Sequence, residues 1–177
     1  MSRSMVRLHH GPPIFAGQKL DPSSCSFISA ARGGAISFCV KNYEILDHTA
    51  DIRIRIKAKD LGGLFINAAR AMFEIIADSP QPTAHSAKII RIKLESEDLE
   101  ELFVTWLNEL LSLSAAKELI FSQFNLGKID KNGLEAEVGG EDIGNYKVNT
   151  EIKAATYHQL KIEEADKGWQ AEVIFDV

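Results

Sequence analysis

The chain has 177 residues, room for one domain with an appended segment, and its 45% hydrophobic and 25% charged content is that of a globular protein able to bury a core without staples. The net charge of −5 is unevenly spread: residues 1–41 carry five basic residues (Arg3, Arg7, Lys19, Arg32 and Lys41) against one acid, Asp21, while the remainder carries 15 basic and 24 acidic residues. Such an acidic body lacks the basic face of a DNA or RNA binder and suits cations or a basic partner, and no run approaches the ~18 apolar residues that span a membrane.

Residues 1–42 read as an N-terminal extension, either disordered or the product of a start assigned too far upstream. They hold His9-His10, Gly11-Pro12-Pro13, Pro22-Ser23-Ser24 and Gly33-Gly34 without an amphipathic period. An acid-poor organellar leader is the alternative. Cys25 and Cys39 give neither a zinc spacing nor a disulfide framework, and the cysteine-free body beyond them is that expected of a cytoplasmic protein.

The domain, residues 43–177, opens with a short apolar strand, Tyr43–Leu46. Asp47-His48-Thr49-Ala50 reads as a turn, because Asp and Thr side chains bond nearby backbone. Ile52, Ile54 and Ile56 alternate with Arg53, Arg55 and Lys57, which predicts a half-buried strand with Asp51 in phase with its polar face. Asp60 is placed to cap a helix whose stripe is Leu61, Leu64, Phe65, Ala68, Met72, Phe73 and Ile76, ended by Asp78-Ser79-Pro80. A strand follows on Ile90, Ile92 and Leu94. Ser96 is expected to open a second helix with one buried face from Leu99 to Leu111.

The rest is mostly strand. Phe121–Ile129 and Leu134–Val138 flank the hairpin signal Asn132-Gly133. Gly139-Gly140 through Asn149 reads as a loop, Thr150–His158 as a strand running on to Ile162 through a bulge, and Trp169–Val177 as the last strand after an Asp166-Lys167-Gly168 turn. The order predicts an α+β fold, a mostly antiparallel β-sheet with two helices packed on one face.

Strand phase singles out a few polar residues. Asp51 shares a side with Arg53; Ile152, Ala154 and Thr156 share one face and Lys153 takes the other; Gln170, Glu172 and Asp176 oppose Trp169, Val173, Phe175 and Val177. If these strands are neighbours, Asp51, Lys153 and Asp176 converge outside the helix-packed core, next to the carboxylate that ends the chain at Val177. An oxygen-rich site of this kind suits Ca²⁺, Mg²⁺ or Mn²⁺ better than Zn²⁺; the plain alternative is solvated surface acids. His48 is open to three readings: metal ligand, proton carrier or hydrogen-bonding brace. A phosphate loop, a nucleophile elbow and HExxH are all missing, and the aromatic residues follow the core phase, so a base-stacking platform is disfavoured.

Taken in order, Tyr43-Glu44-Ile45-Leu46-Asp47-His48-Thr49-Ala50-Asp51, Phe65-x-x-Ala68-Ala69-x-Ala71-Met72-Phe73, Asp98-Leu99-Glu100-x-Leu102 with Trp106-Leu107-Asn108-Glu109-Leu110-Leu111, Thr150–Tyr157 and the terminal Ile174-Phe175-Asp176-Val177 resemble the archease family. The resemblance implies an accessory protein, not an enzyme. Its partner would be an RtcB-type RNA ligase of tRNA splicing or RNA repair, whose metal-dependent guanylylation and turnover it promotes, with tRNA met only through the ligase. It implies a divalent metal, seen as calcium in the family with Mn²⁺ or Mg²⁺ as alternatives, at Asp51, Asp176 and the adjacent Val177. Lys153, His48 and Asp47 are the further residues expected to serve ligase activation. The competing readings are a general chaperone or binding module, a stand-alone metal-dependent hydrolase, and a direct tRNA binder.

Overall fold

A computed structural model describes residues 42–47, 51–78, 87–165 and 168–177. The elements are β1 (Tyr43–Asp47), β2 (Asp51–Ala58), α1 (Leu61–Ile76), β3 (Lys88–Glu95), α2 (Leu99–Lys117), β4 (Leu119–Ile129), β5 (Gly133–Asp142), a 3-10 turn (Ile143–Asn145), β6 (Ala154–Ala165) and β7 (Gly168–Asp176). The α+β class, two helices and antiparallel strands hold as expected. The strands, however, form two sheets where one was expected: β1-β2-β7-β6 and β3-β5-β4, every pair antiparallel. Both helices touch both sheets, α1 mainly β4 and β2, α2 mainly β6 and β4.

One buried cluster joins all of this. Ile54, Ile56, Ala171, Val173 and Phe175 come from the first sheet and Phe121, Leu134 and Val138 from the second, meeting Leu64, Phe65, Met72, Phe103, Trp106 and Leu110 of the helices. The helices are tied to each other by the Phe65–Phe103 edge-to-face contact (5.0 Å) and by Trp106, whose indole N–H donates to the Phe65 carbonyl at 3.2 Å, so the ring is buried without an orphaned donor. No helix among the described residues is long and apolar enough to cross a membrane.

The helix ends follow from their side chains. Asp60 Oδ1 accepts the Gly63 N–H at 2.7 Å, the expected cap. Extended backbone at Ala77 ends α1 one residue before Asp78; Ser79 and Pro80 lie outside the described residues. The second helix is capped by Asp98, not opened by Ser96: Asp98 Oδ1 accepts the Glu101 N–H at 2.7 Å, and Glu101 reaches back to accept the Glu97 N–H, also at 2.7 Å. A carboxylate is the better acceptor for the positive helix end, and Ser96 donates its hydroxyl to the Asp98 carbonyl instead.

Gly139 and Gly140 belong to β5, which runs to Asp142 before the chain turns. Here glycine answers to crowding, not looping: a Cβ on Gly140 would stand 2.7 Å from the Phe121 ring and 2.9 Å from the Ile120 carbonyl. The Asn132-Gly133 hairpin forms, with Gly133 already the first residue of β5 and the Asn132 amide donating to the Glu97 carbonyl at 2.9 Å, which ties the hairpin to the entry of α2. β6 begins later than expected, at Ala154, and carries the expected bulge between Thr156 and Lys161, where Gln159 takes a positive φ of 52°. Gly168 opens β7 with φ +129°, and a Cβ there would lie 2.1 Å from the Ala58 carbonyl, so only glycine fits.

Candidate functional site

Two strands of the first sheet bring the paired acids together. Asp51 opens β2, Asp176 closes β7, and the antiparallel register makes them Cα partners. Direct cross-strand partners share a face, with Cα atoms about 4.5–5.5 Å apart. That face is the outer one, because Ile54, Ile56, Val173 and Phe175 take the inner face and are buried. Both acids are exposed, and among the described residues no side chain pairs with either carboxylate.

Lys153 arrives from the other flank. Its main-chain N–H donates to the Asp176 carbonyl at 2.9 Å, and its ammonium donates to the Val177 main-chain oxygen at 2.9 Å. It therefore fastens the end of β7 from both backbone and side chain, while the half-buried Val177 packs against the core cluster. The approach of this segment is set by two inward anchors, Ile152 (6% exposed) and Ala155 (3% exposed). The expected alternation Ile152/Ala154/Thr156 fails here, since residues 151–153 are outside the strand; Ala154, expected on the face away from Lys153, stands opposite Asp176. Asn108 of α2 closes the arrangement, accepting the Ala155 N–H at 2.8 Å and donating to its carbonyl at 3.0 Å.

The outer face continues in rows away from the acids. The next row holds Arg53 opposite Ile174, and the next runs Glu44, Arg55, Glu172, Lys161 across all four strands, alternating in sign. Glu172 is 7% exposed and accepts from both arginines, from Arg55 Nε at 2.8 Å and from an Arg53 terminal nitrogen. The Arg55 hydrogen bond, followed by that of Arg53, holds its carboxyl below the usual glutamate range, against the opposite pull of burial.

The structure thus pairs Asp51 with Asp176 in register and ties Lys153 to the main chain of Asp176 and Val177. Asp47 closes β1 opposite Arg53 in register, and His48 lies outside the described residues. Sequence reasoning missed Asn108 and the Arg53–Glu172–Arg55 set. An amide within the apolar stripe of a helix and an acid inside the buried Ala171–Phe175 run were the available signals.

Chemically, two exposed carboxylates on one face form an oxygen-only donor set, the kind hard divalent cations take. Among the described residues no cluster of three or more His, Cys, Asp or Glu gathers as a metal cage, so any ion held by this pair would leave most of its coordination positions to water, main chain or another molecule.

Residues 43–177 match the model of the Archease protein family (MTH1598/TM1083). The "Protein archease" of Methanosarcina barkeri is 42% identical over 143 residues, covering 77% of this chain and 97% of that protein. The solution structure of Methanobacterium thermoautotrophicum Protein 1598 is 33% identical with a TM-score of 0.66, covering 77% of this chain and 99% of that one. The crystal structure of a Thermotoga maritima archease, described as a possible chaperone, shares the fold with a TM-score of 0.53 at 24% identity, over 76% and 96% of the two chains.

Proposed function

The chain belongs to the archease family, and from that premise we propose that it is an accessory protein, not itself an enzyme, that activates an RtcB-type RNA ligase in tRNA splicing or RNA repair. The observation that carries this reading is the register pairing of Asp51 with Asp176, with Lys153 fastened to the end of the same strand.

On this reading Asp51 and Asp176 hold a divalent ion (Ca²⁺, Mn²⁺ or Mg²⁺) beside Val177. Such an ion, held by the Asp51 and Asp176 carboxylates, would supply neutralisation of nucleotide phosphate charge for ligase guanylylation. The remaining work falls to the chain's own residues. The acid pair sits where β2 opens and β7 closes, on paired strands and not on a loop, so the sheet ladder sets its geometry. Lys153 keeps the end of β7 in register with its neighbours and so keeps Asp176 opposite Asp51. Asp47 and His48, which precede Asp51 in the chain, are the further residues assigned to ligase activation. The protein meets tRNA only through the ligase and works in the cytoplasm.

The test is the initial rate of guanylylation of the cognate ligase, with GTP and Mn²⁺, with and without catalytic amounts of this protein. Wild type accelerates the step; Asp51→Ala and Asp176→Ala, folded by circular dichroism, do not. Normal activation by both variants removes the carboxylate mechanism. A chaperone reading, after the Thermotoga maritima archease described as a possible chaperone, instead requires suppression of unrelated aggregation that is indifferent to Asp51. The large exposed apolar residues Ile45, Ile89, Val148 and Tyr157 lie in separate segments and do not speak for it.

A further inference from the structure

Arg53 occupies the row between two anionic neighbourhoods. Its partner on β7 is Ile174, and along β7 the next same-face residues are Asp176 on one side and Glu172 on the other. Asp51 is the next same-face residue on its own strand. Diagonal neighbours of this kind are within reach of a long side chain, so besides Asp47, its register partner on β1, Arg53 has the acid pair and Glu172 within reach. It is found on Glu172.

Glu172 is an unusual choice of partner because Arg55 already occupies it, through Nε at 2.8 Å and a terminal nitrogen at 2.7 Å. Two guanidinium groups therefore converge on one buried carboxylate, while the two exposed carboxylates one row from Arg53 have no side-chain partner among the described residues. Among the described residues Arg53 is held at one terminal nitrogen, by Glu172, and its buried Nε has no partner. Glu172 is thus the charge that anchors it among the described residues.

We propose that Glu172 is a positioning residue for the acid pair: by holding Arg53 away from Asp51 and Asp176, it keeps both carboxylates open to a divalent cation. This rests on the reading of those two acids as the metal site. Without the Glu172 charge, Arg53 turns toward the pair, where a guanidinium both occupies carboxylate oxygens and repels an incoming divalent ion.

The experiment is calorimetric titration of Ca²⁺ and of Mn²⁺ into the full chain, for wild type, Asp51→Asn, Glu172→Gln, Arg53→Gln and the Glu172→Gln/Arg53→Gln double variant, each checked for a cooperative thermal transition. Glu172→Gln weakens binding by about tenfold or more, and the double variant returns to within about twofold of wild type, because the competing cation is gone. Unchanged affinity in Glu172→Gln overturns the proposal while leaving the metal site standing. A double variant as weak as the single also overturns it, since the loss then comes from local damage. Wild type that binds no better than Asp51→Asn removes the metal reading and this inference with it. Should Glu172→Gln fail to fold, Arg53→Gln alone decides: its Ca²⁺ affinity stays within about twofold of wild type if Glu172 already holds the guanidinium away from the pair, and a gain of about tenfold overturns the proposal because Arg53 then competes in the wild-type chain.

Discussion

The two sheets each carry a directly opposed Arg–Glu pair, and the pairs differ in almost everything but their chemistry. Arg55 faces Glu172 between β2 and β7; Arg91 faces Glu137 between β3 and β5. Both pairs bond at 2.8 Å through the arginine Nε. In the first, the side chains are 33% and 9% exposed and a second arginine joins; in the second they are 86% and 47% exposed and the pair stands in water. Equal hydrogen-bond geometry therefore does not mean equal energy. Burial removes the water that would otherwise replace a lost partner, so the first pair is costly to break and the second nearly free.

Glu172→Ala carries the largest expected effect. It strips the acceptor from two partly buried guanidinium groups, and the arginines' one-third exposure limits the loss to about 2–3 kcal/mol in urea unfolding. A double-mutant cycle on Arg55 and Glu172 should then show a coupling of about 1–3 kcal/mol, against no more than about 0.5 kcal/mol for Arg91 and Glu137. A similar coupling in both pairs would mean that burial is not what separates them.

Asn108→Ala comes next, at about 1–2 kcal/mol, since it removes both hydrogen bonds that fix the Ala155 main chain. It should also weaken divalent-ion binding on the proposed site, by loosening the approach to Lys153. Smaller still is the acid dependence of the buried pair. The folded carboxyl of Glu172 lies below the ordinary glutamate value of 4.5, so the unfolded chain binds the proton more readily. Its stabilisation is complete above that value and lost as pH falls through the folded one. The gap in stability between wild type and Glu172→Gln should stay flat from neutral pH to about 5.5 and close below about 4.5. Glu137→Ala ends the series, with a change within about 0.5 kcal/mol.

Much of this was legible in the sequence where a period of two governs. The alternation Ile52/Ile54/Ile56 put Asp51 on the outer face, and the run to Phe175 put Asp176 there too, so the acids' convergence needed only that β2 and β7 be neighbours. That neighbourhood was not legible. Like β3 with β5, it joins strands far apart in the chain, and such pairing depends on how the faces pack around the helices. For the same reason the division into two sheets escaped the sequence. Gly139 and Gly140 were misplaced because glycine signals a loop by its conformational freedom, and nothing local reveals that Phe121 and Gln123 leave no room for a side chain beside them. Asn108 and Glu172 were invisible as functional positions because their partners, Ala155 and Arg53 with Arg55, lie at least 47 residues away.

The most direct test of the central claim, that the Asp51–Asp176 pair is what this fold presents to its partner, is the initial rate of ligase guanylylation with Asp51→Asn set beside Glu137→Gln, two exposed acids on different sheets. The account predicts that Asp51→Asn abolishes activation at an unchanged thermal transition while Glu137→Gln activates like wild type. Equal activation by the two variants would contradict it.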